Sequence, residues 1–294
     1  MARFSPADSV FAGFRFARER PATLLVWAAY LLAATAVTSV AMLGIGGDSL
    51  AALNIAARGA SPDPQQLMKL MDDVLPATMF GALLMLVFGA VLSTAILRVR
   101  MTPGPHTWGG LKLGGGELRL LGSKVLVFAA TVLALGPIAV VAALLQLAGV
   151  PAPVGLALGM LLLLAPLMIR LSLAGVVSQA EGRLSPVRSF LLTKPLFWRL
   201  LGAFVLLGAI MLVILVLVAI VFTALIGATT LGGGSNMDQI AMAAMQGRFD
   251  SLNPLVAGLT ILSNLAQVWV LVVFQAVFLS VAVDAYDSAL REQG

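Results

Sequence analysis

The feature that most constrains this chain is a set of six apolar stretches, each long enough to cross a lipid bilayer. About 20 apolar residues are needed to cross a hydrocarbon core about 30 Å thick. In lipid such a span is helical, because no water is present to bond exposed backbone groups. The sequence therefore predicts an all-α polytopic membrane protein that forms one domain, 1–294, with spans at 24–45, 77–97, 125–147, 154–177, 200–226 and 255–283.

The composition excludes a water-soluble fold. Hydrophobic residues make up 60% of the chain and charged residues 11%, whereas soluble domains average about half and about a quarter. The first span has an alternative interpretation as a secretory signal peptide, because Ser39-Val40-Ala41 would suit cleavage. Signal-peptide cores run about 7–15 residues, and the stretch from Leu24 to Ala41 has 18. We therefore expect an uncleaved span.

The basic residues are distributed unevenly between the two sides of the membrane. When the loops are sorted by alternate spans, 15 of the 18 Lys and Arg fall on the side that holds both termini. Membrane proteins keep such residues in the cytoplasm, so we expect both termini to be cytoplasmic. The net charge of +5 is then a signal of topology. We expect anionic lipid headgroups at the cytoplasmic face as partners, and no nucleic acid.

Local signals predict further features of the loops and spans. Residues 63–76 and 235–247 have helix start signals and apolar residues at helical spacing, so each is expected to form a short surface helix. Glycines at 114–116 and 122 are interpreted as flexible loop residues. Kinks are expected at Pro137 and Pro166. Close helix packing is expected at Gly81, Gly89, Gly155 and Gly159.

The sequence lacks the usual signs of membrane enzymes and proton-coupled carriers. No Asp, Glu or His lies in the middle of a predicted span, and the chain has no Cys. Paired carboxylates, the HExxH pattern and metal-ligand clusters are absent as well. The single histidine, His106, is expected to be a solvated loop residue. We therefore expect a non-enzymatic protein with no catalytic residues, no metal and no cofactor.

Span 6 differs from the others because it carries a polar stripe. The stripe lies within about 60° of one line on a helix. Hydrogen bonding between helices is the favoured interpretation. The alternative is the wall of a polar pathway, which would make the chain a small-molecule or ion transporter or channel. The stripe consists of Thr260, Ser263, Asn264, Gln267 and Gln275.

Arg170 is a charged residue inside the fourth apolar stretch. A rise of 1.5 Å per residue places its Cα about 24 Å from the start of the span, near the cytoplasmic edge of the core. The favoured interpretation is that the side chain extends to the headgroups, in which case lysine would be tolerated. The alternative is a partner inside the bundle, for which Gln275 and Asp284 of span 6 have the right depth.

Residues 170–202 carry a more specific pattern: an Arg near the end of span 4, then Glu-Gly, then Ser on a linking helix, then a basic residue and Phe-Trp-Arg before span 5. This pattern resembles that of bacterial six-helix inner-membrane proteins related to the glycerophosphoryl diester phosphodiesterase membrane domain. Pro195-Leu196 departs from it, since Gly-Asn is commoner there. The matching residues are Arg170, Glu181, Gly182, Ser189, Lys194, Phe197, Trp198 and Arg199.

The resemblance implies a location in the bacterial inner membrane but no catalytic activity, because the pattern belongs to the membrane part of that family. Physically, the segment is typical of a cytoplasmic interfacial helix whose aromatic residues enter lipid and whose basic residues meet headgroups. We therefore expect a role in envelope or lipid-associated homeostasis, or as a scaffold for partners.

A weaker similarity is internal. Phe16 is followed by a basic residue and Pro21 before span 1, and Phe190 is followed by a basic residue and Pro195 before span 5. This suggests a weak internal repeat, although so biased a composition can produce such matches by chance.

Overall fold

The computed structural model describes residues 4–56, 64–102, 104, 107–112, 114–230 and 254–293. In this part of the chain all regular structure is helical, and six segments are long and apolar enough to cross a membrane. The predicted all-α polytopic fold and the number of spans are confirmed. The predicted surface helix at 235–247 and His106 lie outside the described residues.

Ten α-helices make up the described fold. Spans 1, 2, 3, 5 and 6 are carried by α2, α3, α4, α9 and α10, and span 4 runs through α5, α6 and α7. A 3-10 turn, Thr107–Gly110, precedes α4. The helices are α1 Pro6–Glu19, α2 Pro21–Ala56, α3 Pro64–Met101, α4 Gly115–Leu147, α5 Ala152–Gly159, α6 Ala165–Leu171, α7 Ala174–Glu181, α8 Pro186–Thr193, α9 Phe197–Thr230 and α10 Pro254–Gln293.

The central helices of the bundle are α10 and α3. In the most apolar 18-residue window of each helix, 50% of the window is buried in α10 and 44% in α3, against 11% in α4 and in α9. One end of the bundle holds the first residues of α2, α4 and α9 and the last residues of α3 and α10. We call it the basic end, because Arg20, Arg98, Arg100 and Arg199 lie there.

Span 4 is distorted where the sequence predicts it. A π-helical turn, Met160–Leu164, separates α5 from α6. Pro166 lies two residues after this turn, and its missing N–H and its ring disfavour a regular helix over the preceding turn. A Cβ on Gly155 would lie 3.2 Å from the carbonyl oxygen of Ala142, and one on Gly159 equally close to that of Ile138. Close packing of span 4 on α4 at these glycines is confirmed.

Two loop predictions are wrong because the helices are longer than expected. The described residues of 63–76 belong to α3, which continues through Pro76. Val74 and Ala77 on either side of that proline are buried in the bundle, and this packing holds the helix together. Likewise Gly115, Gly116 and Gly122 lie in α4.

The glycines of α4 allow close contact rather than flexibility. A Cβ on Gly116 would lie 3.2 Å from Oε1 of Gln179, and one on Gly122 would lie 3.2 Å from a methyl carbon of Leu184. Glycine is tolerated in a helix where a neighbour comes this near. The start of α4 therefore packs against α7 and the turn that follows it.

The amphipathic helix α1 was not predicted. Ser5 caps its first turn by accepting a hydrogen bond from the N–H of Asp8 (3.5 Å), and Pro6 occupies the first helical position. Val10 and Gly13 lie on its buried face. A Cβ on Gly13 would lie 2.8 Å from a methyl carbon of Val277 in α10, so the two helices are in close contact.

Candidate functional site

A cavity of about 810 Å³ lies between α3, α4, α6, α9 and α10. Ligand sites in proteins commonly measure about 300–1,000 Å³. Its wall is mostly apolar and includes the stacked rings of Phe204 and Phe278, whose centres are 4.9 Å apart. The polar residues of the wall are Ser93, Ser123, Lys124, Thr131, Ser172 and Gln275.

The edge of the cavity is apolar and accessible. Phe128 of α4, Met168 of α6 and Val205 of α9 line it, and they are 51%, 44% and 62% exposed. Each of these residues belongs to a segment that is long and apolar enough to cross a membrane. Exposed apolar residues of three candidate spans therefore line the cavity.

A chain of hydrogen bonds runs along the polar part of the wall. Nε2 of Gln275 donates to Oγ of Ser93 (2.9 Å), which donates to the carbonyl oxygen of Gly89 (2.7 Å). Nζ of Lys124 donates to the same carbonyl oxygen (2.8 Å). The chain thus joins α10, α3 and α4 and holds a cationic group at the cavity wall.

The ammonium group of Lys124 differs from nearby cations in its partners. Arg98 pairs with Glu117 (2.6 Å), and Arg100 pairs with Asp284 (2.8 Å). Among the described residues, Lys124 forms its hydrogen bond with a backbone carbonyl and has no carboxylate within ion-pair distance. Its positive charge is therefore not neutralised by the described part of the chain.

The polar stripe of span 6 does not form one hydrogen-bonded seam. Oγ1 of Thr260 donates to the carbonyl of Val256 in its own helix (2.8 Å), and Nε2 of Gln267 donates to Oγ of Ser263 (3.3 Å). Asn264 and Gln267 are exposed. In the described part of the chain, the predicted bonding between helices is found at Gln275, the stripe residue that lines the cavity.

Arg170 contacts aromatic rings instead of the predicted partners on span 6. Its guanidinium carbon lies 4.7 Å from the ring centre of Phe190 and 5.8 Å from that of Phe197. Gln275 donates to Ser93, and Asp284 accepts from Arg100. The hypothesis of a partner on α10 is therefore wrong. Helix α8 packs against α6 and places Phe190 beside the arginine. We call Arg170, Phe190 and Phe197 the central corner.

Ser189, one of the motif residues, fixes the position of α8. It is fully buried, and its Oγ donates to the carbonyl oxygen of Arg170 (2.8 Å). Because α6 ends at Leu171, that carbonyl is among those left without a partner in the helix. The hydroxyl group of Ser189 therefore satisfies it.

The remaining motif residues form a turn and a surface. Gly182 ends α7 in the left-handed conformation (φ +68°), and Glu181 before it pairs with Arg183 and Arg188. Lys194 and Trp198 are exposed, the latter by 78%. Arg199 pairs loosely with Glu292 (3.7 Å). These exposed groups fit the expectation of an interfacial segment.

A second aromatic and arginine contact lies where α1 meets α2. The guanidinium carbons of Arg20 and Arg100 lie 5.2 Å and 5.7 Å from the ring centre of Phe16. Arg100 also donates to Oγ of Ser280 (2.9 Å) and to Asp284. We call Phe16, Arg20 and Arg100 the N-terminal corner.

The hydrogen bond between the side chain of Lys124 and the carbonyl of Gly89 was not predicted from the sequence. Lys124 was counted as a loop cation, and Gly89 was predicted to be a packing residue. The missing side chain of Gly89 in fact leaves room for the ammonium group, since a Cβ there would lie 3.3 Å from Nζ. A signal was present in the sequence, because Lys124 directly precedes the third apolar stretch.

Comparison with protein-family models, with curated proteins and with solved structures finds no match. Within the described residues, no group of three or more His, Cys, Asp or Glu side chains is placed to hold a metal ion.

Proposed function

We propose that the chain is a non-enzymatic multi-pass protein of the bacterial inner membrane that binds a membrane lipid and serves lipid-associated homeostasis of the envelope. The observation that carries the proposal is the cavity of about 810 Å³, which exposed apolar residues of α4, α6 and α9 line. We infer that it opens into the bilayer between these helices. A cavity that opens into the bilayer is accessible to lipid. Its aromatic and aliphatic wall suits an acyl chain, and its few polar groups suit the polar part of the same molecule.

The polar groups of the wall support binding rather than chemistry. They are hydroxyl groups, one amide and one ammonium group, and Ser93, Lys124 and Gln275 bond to one another through the chain that includes Gly89. The described lining residues include no carboxylate and no histidine to act as general acid or base, and the ammonium group of Lys124 donates to a backbone carbonyl.

The transporter alternative has less support from the same cavity. A polar pathway along span 6 would have to include Asn264 and Gln267, and neither is among the described lining residues. Gln275 does line the cavity, but its amide donates to Ser93 and so links two helices. Gln275 thus favours the packing role over a pathway.

Lipid binding is tested by filling the cavity. Val127 lines it, and phenylalanine in its place would occupy the volume. Lipid retained by the protein after purification in mild detergent should fall by more than half in Val127→Phe, as measured by mass spectrometry. Val132→Phe is the matched control, because Val132 lies on the same helix, is 47% exposed and is not among the lining residues. Equal lipid in wild type and Val127→Phe would contradict the proposal.

The location of the basic end in the cytoplasm is also part of the proposal. It is supported by the 15 Lys and Arg on the side of the termini. Reporter fusions near positions 60, 151 and 242 should be periplasmic, and those near 106, 190 and 294 should be cytoplasmic. A cytoplasmic signal at 60 or a mature chain that begins at Met42 would contradict this threading.

A further inference from the structure

We propose that the cavity selects an anionic phospholipid of the surrounding bilayer and that Lys124 is the residue that binds its phosphate. This inference rests on the proposed lipid-binding function and names the class of lipid. One acyl chain would lie in the apolar part of the cavity, and the phosphate would lie against the ammonium group.

Lys124 has donors and a charge that the described residues leave unmatched. An ammonium group has three N–H donors, and in the described part of the chain the hydrogen bond of Lys124 goes to the carbonyl of Gly89. Charged groups in membrane spans are costly, and they pair with one another or with backbone carbonyls. Glu117 of the same helix and Asp284 of α10 already pair with arginines. A phosphate supplies a negative charge and accepts the remaining donors.

Depth places Lys124 on the side of the basic end. Lys124 directly precedes the apolar stretch 125–147 of α4, which ends with the helix at Leu147. Its partner Gly89 lies eight residues before the end of the apolar stretch 77–97 of α3, which is about 12 Å at 1.5 Å per residue. The backbone of Lys124 therefore lies near the boundary of the hydrocarbon core, and its ammonium group points inward to the cavity, where it would hold the phosphate.

The ammonium group of Lys124 is also held in place. The carbonyl of Gly89 accepts from both Ser93 and Lys124, and Gln275 donates to the same serine. Free lysine side chains at a membrane boundary extend toward water. Lys124 instead points to the cavity wall, because the absence of a side chain at Gly89 leaves its carbonyl within reach.

The experiment compares two lipids with the same acyl chains. The full-length protein in neutral detergent is titrated with palmitoyl-oleoyl phosphatidylglycerol or with the matching phosphatidylcholine, and bound lipid is counted by native mass spectrometry. One cation near a membrane surface contributes on the order of 1 kcal/mol, so wild type should prefer the anionic lipid by about five-fold. Lys124→Gln should lose this preference and still bind phosphatidylcholine, whereas Lys124→Arg should keep it.

Two further variants separate this site from general surface charge. Lys112→Gln is the matched control, because Lys112 is an exposed cation near the same end of the bundle. It should keep the preference. Gly89→Ala leaves every charge in place but brings a Cβ within 3.3 Å of Nζ, so it should reduce the preference even if Lys124→Gln does not fold.

The outcomes distinguish the inference from the function on which it rests. If Lys124→Gln or Gly89→Ala keeps the full preference, or if Lys112→Gln loses it equally, lipid binds but Lys124 does not select it. If wild type binds neither lipid, the proposed function itself is wrong.

Discussion

The N-terminal corner and the central corner share a local design but differ in burial. In each, a short helix begins at Ser-Pro, carries a phenylalanine beneath an arginine, and is followed by a basic residue and a proline before a membrane span. Phe16 is only 8% exposed, whereas Phe190 is 38% exposed. The same pattern therefore forms part of the core at one corner and a surface at the other.

The difference comes from what covers each short helix. Helix α1 packs on α10, with Gly13 against Val277, so its apolar face is enclosed. Helix α8 packs inward through Ser189 and Leu192, but Val187 and Leu191 on its other face are 71% and 63% exposed. The arginines of the two corners also differ in their partners. Arg100 has a carboxylate partner in Asp284, while Arg170 in the described structure has aromatic rings.

The largest effect is expected from breaking the ion pair of the N-terminal corner. Asp284→Asn removes the charge that Arg100 contacts at 2.8 Å, in a pair whose side chains are 28% and 24% exposed. Loss of one partner leaves a poorly solvated charge, so the free energy of unfolding should fall by about 2–3 kcal/mol. The measurement is the thermal unfolding midpoint of the purified protein in detergent.

The matched control is Asp287→Asn. Asp287 lies three residues further along α10 and is exposed, so its substitution should change stability by less than about 0.5 kcal/mol. Equal losses in the two variants would mean that burial does not distinguish the N-terminal corner from the surface.

A smaller loss is expected from Gly13→Ala, which tests whether α1 is enclosed. The new Cβ would lie 2.8 Å from a methyl carbon and 3.1 Å from Cα of Val277. The backbone atom cannot move aside freely, so overpacking should cost about 1–2 kcal/mol. Gly208→Ala in α9 is the control, because open space surrounds that glycine, and it should leave the midpoint unchanged or slightly raised. A neutral Gly13→Ala would show that α1 is only loosely attached.

The spans were predictable from the sequence, because hydrocarbon demands long apolar helices whatever their neighbours are. The short helix α1 was not, because its apolar residues are spaced along a charged segment and are buried through contacts with α9 and α10. Pro166 could be predicted to distort span 4, since the effect of proline is local. The extension of α4 through Gly116 and Gly122 could not, since it depends on the neighbours Gln179 and Leu184.

The pairing of side chains inside the bundle also depends on neighbouring elements and could not be predicted from the sequence. Position along a span fixes the depth of a residue but not the direction in which it points within the bundle. Gln275 and Asp284 were candidate partners of Arg170 by depth, yet they face α3 and bond to Ser93 and Arg100. The pairing of Lys124 with Gly89 was missed for the same reason.

The smallest effect is expected at the central corner, where sequence reasoning predicted that lysine would be tolerated at Arg170. The contact with Phe190 at 4.7 Å changes that expectation, because a planar guanidinium stacks on a ring in a way that an ammonium group does not. An exposed contact of this kind contributes about 0.5–1 kcal/mol. Arg170→Lys should therefore lower the unfolding midpoint slightly, and by less than Asp284→Asn or Gly13→Ala. Phe190→Leu should cost a similar amount, and the double variant should cost little more than one substitution, since both remove the same contact. Additive losses, or a loss in Arg170→Lys as large as that in Asp284→Asn, would show that the two corners do not differ in the way their burial indicates.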